Sequence, residues 1–82
     1  MVLIAGEQFP DNEACLTCVH VLAGSPIFLV ARDEDGDWQF LCSRPHDGTD
    51  ARVIALGEVV SIEPRLSSLT PLGRNATTRL PA

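Results

Sequence analysis

Eighty-two residues, 45% of them hydrophobic, make one domain near the lower size limit for an independent core. A net charge of -5, from 11 acidic and 6 basic residues, disfavours a polyanionic partner, so nucleic acid is not the expected ligand. The apolar start, Met1 to Ala5, is too short to span a bilayer and lacks the positive flank of a secretion signal, so the chain reads as cytoplasmic and free of membrane.

Residues 1–13 begin apolar and turn polar, with a turn at Pro10-Asp11-Asn12; they read as a short edge strand or a loose terminus. Ala14 to Leu22 is apolar, with β-branched Thr17, Val19 and Val21, and reads as a strand ending at Ala23-Gly24-Ser25-Pro26. Ile27–Arg32 and Asp37–Cys42 then predict a hairpin. A two-residue Asp35-Gly36 turn would set Glu34 opposite Asp37, and like charges directly opposite destabilise. A four-residue loop pairs Arg32 with Asp37, Ala31 with Trp38, Leu29 with Phe40 and Ile27 with Cys42, and is preferred. Either register puts Ile27, Leu29, Ala31, Trp38, Phe40 and Cys42 on one face, with Phe28, Val30, Gln39 and Leu41 on the other. Both faces are largely apolar, which places these strands inside the sheet.

Arg52–Leu56 is a further apolar run. Gly57–Glu63 predicts about two helical turns stopped by Pro64, with Leu56, Val59 and Val60 on one face. Leu66, Leu69 and Leu72 extend that cover, and residues 73–82 read as a loose tail. The expected class is α+β: a small, mostly antiparallel sheet of three to four strands, with the hairpin 27–32/37–42 and one short helix near 57–63, in a single domain over residues 1–82.

All three cysteines and both histidines fall between residues 15 and 46. An odd count does not suit a disulfide scaffold, and in a reducing compartment such thiols are free, metal-bound or redox-active. Cys15-x2-Cys18 with Cys42-x3-His46 offers the thiolate and imidazole set of a tetrahedral zinc site. A simple meander argues against it, because five residues of strand would separate Cys18 from Cys42 by roughly 15 Å. Zinc survives only if residues 18–25 form a helical or irregular crossover that returns Cys15 and Cys18 to the exit of the third strand. Otherwise the thiols are packing. A thiol redox role is the weakest of the three readings, since Leu16-Thr17 provides no turn to open a helix at the first cysteine. His20 reads as a core or turn residue.

Asp33-Glu34-Asp35-Gly36-Asp37 fails as an EF-hand loop, because the required glycine would fall on Trp38 and the closing acid on Arg44. It reads as a solvated hairpin tip. Cys42, His46 and Asp47 lie too close in sequence to imply a triad. No phosphate loop, nucleophile elbow or paired-carboxylate signature is present, so a non-enzyme is expected. Asp33, Glu34 and Asp35 at the tip, with Asp47 and Asp50 in the following loop, offer acidic surface to a basic protein partner. The sequence does not specify an oligomeric state.

The stretches "CLTCVHVLAGSPIFLVARDEDGDWQFLC" and "ALGEVVSIEPRLSSL" resemble small uncharacterised bacterial proteins that are distantly similar to a domain of unknown function grouped with toxin-immunity proteins. The likeness spans residues 14 to 70 and lies in Val21-Leu22, Gly24, Pro26-Ile27, the acidic tip leading into "DGDWQFL", and the break at "EPRL". The resemblance implies no catalytic residues. It implies a binding protein that covers its partner, for which an acidic surface suits a basic target.

Overall fold

A computed structural model describes residues 1–45 and 47–80. In chain order these form β1 (Val2–Ile4), β2 (Glu7–Phe9), β3 (Ala14–Cys18), α1 (Val19–Leu22), β4 (Leu29–Arg32), β5 (Trp38–Leu41), β6 (Ala51–Ala55), α2 (Leu56–Ile62), a 3-10 helix (Pro64–Ser68) and β7 (Ala76–Arg79). The class is α+β. Five strands form one sheet in the order β6-β3-β5-β4-β7, and β1 and β2 form a separate hairpin.

The mixed pairing decides the architecture. β3 runs parallel to β5, with Leu16 beside Gln39, while every other pair is antiparallel. The strand expected over Ala14–Leu22 therefore ends at Cys18. The chain then takes one helical turn and crosses over so that β5 inserts between β3 and β4. The sheet holds five strands rather than three to four, and the crossover adds a second short helix.

The hairpin also differs from both expected registers. Arg32 pairs with Trp38, Val30 with Phe40 and Leu29 with Leu41, one residue away from the preferred pairing. The cause is the loop. The Asp33 N–H donates to the Asp37 carbonyl (3.0 Å), and the Gly36 N–H donates to the Asp33 carbonyl (3.1 Å). The Asp33 carboxylate accepts the N–H groups of Asp35 (2.9 Å) and Asp37 (3.0 Å). Gly36 takes φ +91°, closing a three-residue loop with a left-handed last position. The odd loop flips the parity, so Val30, not Leu29 or Ala31, shares the buried face with Trp38 and Phe40.

That face is the core side of the sheet. Cys15, Thr17, Val30, Trp38 and Phe40 are all buried there against Ile4, Phe9, Leu56, Val59 and Leu66. α2 follows the expected helix to within one residue and buries Leu56 and Val59, while Leu69 and Leu72 pack at the rim. Within the expected tail, β7 pairs with β4 along Ala76–Arg79 and Leu80 is buried, while residues 81–82 lie outside the described residues. The N-terminal residues are likewise ordered as the β1–β2 hairpin, turning at Ala5 and Gly6, both at positive φ.

Candidate metal centre

Parallel strands present their carboxyl ends on the same side of a sheet. Cys18 closes β3 and Cys42 follows β5 by one residue, so the parallel pairing brings the two sulfurs to 3.7 Å. Cys18 is also the residue preceding α1, in extended conformation. The single turn of α1 then swings His20 back over the strand ends. Its Nδ1 lies 3.4 Å from the Cys42 sulfur. The ligand atoms of Cys18, His20 and Cys42 all lie within 4.8 Å of one another.

Neighbouring loops fix this corner. The Val19 N–H donates to the Asp50 carbonyl (2.9 Å), tying the start of α1 to the loop that precedes β6. The Ser25 N–H closes onto the His20 carbonyl (2.9 Å), and the Phe28 N–H onto the Leu41 carbonyl (2.8 Å). Cys18 and Cys42 are 1% and 6% exposed, and His20 is half-buried. Burial pushes the Cys42 thiol up; a bond from the Arg44 backbone N–H to its sulfur pulls the other way and favours the thiolate.

Of the four expected ligands, Cys18 and Cys42 come together. Cys15 does not join them: it is buried on the core side of β3, where burial first, then Glu58 and Glu13, push its thiol up to about 12. His46 lies outside the described residues. His20 takes a place in the cluster that the sequence did not assign to it. The available signal was its spacing, two residues beyond Cys18 across a junction between strand and helix.

The acidic residues fall into two groups. Asp33, Glu34 and Asp35 sit at the tip that precedes β5, whereas Asp47 and Asp50 sit beyond its other end. The Asp47 carboxylate accepts the Thr49 hydroxyl and the Thr49 N–H (2.8 Å), which hold it below the usual carboxylate range. Asp33, Asp35 and Asp37 also approach one another, but the Asp33 carboxylate is engaged by the turn amides.

The fold and this corner define a small α+β domain carrying a buried cluster of two thiols and one imidazole that could hold a metal ion. No family model, curated protein or solved structure matches the chain. Among the described residues, no helix is long and apolar enough to cross a membrane.

Proposed function

We propose that this is a non-enzymatic domain stapled by a zinc ion held by Cys18, Cys42 and His20. One observation carries the reading: the spacing of the ligand atoms. Two thiolates bound at about 2.3 Å in tetrahedral geometry stand about 3.8 Å apart, and a thiolate and an imidazole nitrogen about 3.5 Å apart. The corresponding separations here are 3.7 Å and 3.4 Å. The ion would join the ends of β3 and β5 to α1, in a chain whose core alone supplies about 3–5 kcal/mol. Burial of Cys15, which pushes its thiol up, argues against a redox role for that cysteine, because such a role needs a depressed thiolate.

Metal analysis of freshly purified protein, followed by competition titration with a chromophoric chelator, tests the proposal. One zinc per chain is expected. Cys18→Ser, Cys42→Ser and His20→Ala should each weaken binding by at least about tenfold, and Cys15→Ala should leave the stoichiometry at one. A further loss in His46→Ala would assign it the fourth coordination position. Less than about half an equivalent of zinc, unchanged by adding the metal to reduced protein, rejects the staple.

A further inference from the structure

Among the described residues, helices and the β1–β2 hairpin cover one face of the five-stranded sheet. β1, β2, α2 and the 3-10 helix supply core residues against the side bearing Val30, Trp38 and Phe40. The alternate residues face the other way, and none of them along β4 and β5 is buried: Leu29, Ala31, Gln39 and Leu41 stay partly open. On β3 and β6, Leu16 is partly open and Val53 is 70% exposed, while Cys18 at the end of β3 is buried. An apolar sheet face ordinarily packs against another layer.

Two clefts meet at Leu16 on this open face. One, of about 280 Å³, also takes in Gln39, Val53, Asp33 and Asp37. The other, of about 180 Å³, takes in Leu41, Ala51 and Asp47. The floor is mostly apolar and carboxylates stand at both ends; no arginine lines either cleft, and Arg79, opposite Leu29 on the same face, lies over the Phe28 ring. The strand between the two acidic ends, Trp38–Leu41, is roughly 13 Å long. That matches about nine residues of α-helix.

We infer that the open face docks one amphipathic helix of a partner protein, its apolar stripe over Leu16, Leu41 and Val53 and its basic residues at both ends against Asp33, Asp37 and Asp47. Charge complementarity selects this occupant. A second copy of the chain carries the same net charge of -5 and the same acidic ends, and would meet repulsion. A helix satisfies its own backbone hydrogen bonds, so it can cover the middle of a sheet, whereas an added strand would need the β6 edge. The inference does not depend on the zinc staple.

Two synthetic helical peptides test it, sharing one Leu/Ala stripe and differing only in Lys or Glu at both ends. Isothermal titration is expected to show the Lys-ended peptide binding at least about tenfold more tightly, with affinity falling as salt rises. Val53→Glu and Asp37→Asn should each weaken that binding several-fold. Ile62→Glu, an exposed position on α2 and outside both clefts, should not. Circular dichroism of each variant separates loss of binding from loss of fold. Equal affinity for the two peptides, no saturable binding of either, or indifference to Val53→Glu overturns the inference. So does a dimer of the native chain that Val53→Glu dissolves.

Discussion

Each thiol takes its chemistry from what lies within reach of its sulfur. Cys15 packs in the core, where burial first, then the Glu58 and Glu13 carboxylates, push its thiol up to about 12. At pH 8 it is therefore almost wholly protonated, and the thiolate is the reactive form. Iodoacetamide should alkylate Cys15 at least about a hundredfold more slowly in the native protein than in the urea-unfolded chain. Peptide mass mapping over time measures the ratio, and similar rates in both states would refute the packed position. Arg32 follows the same logic of surroundings. Its guanidinium lies 5.0 Å from the Trp38 ring and 5.6 Å from the Phe9 ring, and donates to Glu7 (3.1 Å) and to the Leu72 carbonyl (3.2 Å). The expected pairing with Asp37 loses to this stacked site, which only a planar cation fills.

Elements here are held by backbone approaches as much as by propensity. Gly57 lies in the first turn of α2, where alanine would raise helix propensity by up to about 1 kcal/mol. A Cβ at that position would stand 3.2 Å from the Asp11 carbonyl oxygen and 3.3 Å from the Asp11 Cβ. The Gly57 N–H already donates to that carbonyl at 2.9 Å, so the opposing backbone is pinned and cannot easily withdraw. Gly57→Ala should therefore destabilise the fold, by about 1 kcal/mol or more, in urea unfolding; a gain in stability would show that the Asp11 turn yields. α2 itself was legible, because Leu56, Val59 and Val60 recur at helical spacing before Pro64. The hairpin was legible as a hairpin but not in its faces. One carboxylate, Asp33, stabilises a loop of odd length, and one residue of slip reverses every side chain. β7 was invisible because Ala76-Thr77-Thr78-Arg79 has no apolar alternation; its place comes from pairing with β4, some 45 residues earlier in the chain.

At the scale of the whole molecule, the decisive contact is the parallel pairing of β3 with β5. Nothing local in the sequence encodes it, and a meander is the simpler inference. With it, Cys18 and Cys42 move from opposite ends of the sheet to 3.7 Å apart, and the four-residue α1 adds His20. Two of the candidate ligands were thus readable as residue types, while their assembly belonged to the topology. The same corner joins the β3–α1 junction to the end of β5, more than twenty residues later in the chain, so an ion there would bind the folded chain more tightly than the unfolded one. Linkage then fixes the effect: free zinc at a hundred times its dissociation constant adds about 2.7 kcal/mol. A domain this small shifts its unfolding midpoint by about 4–8 °C per kcal/mol, so a rise of roughly 10–20 °C is expected, reversed by chelation. Thermal unfolding followed by circular dichroism across a zinc series checks it, under reducing conditions and at constant ionic strength. The onset of the rise should move to at least about tenfold higher zinc in Cys42→Ser and His20→Ala and stay in place in Cys15→Ala. A midpoint that ignores zinc in the native chain would mean that any bound ion sits away from this corner and does not hold the fold.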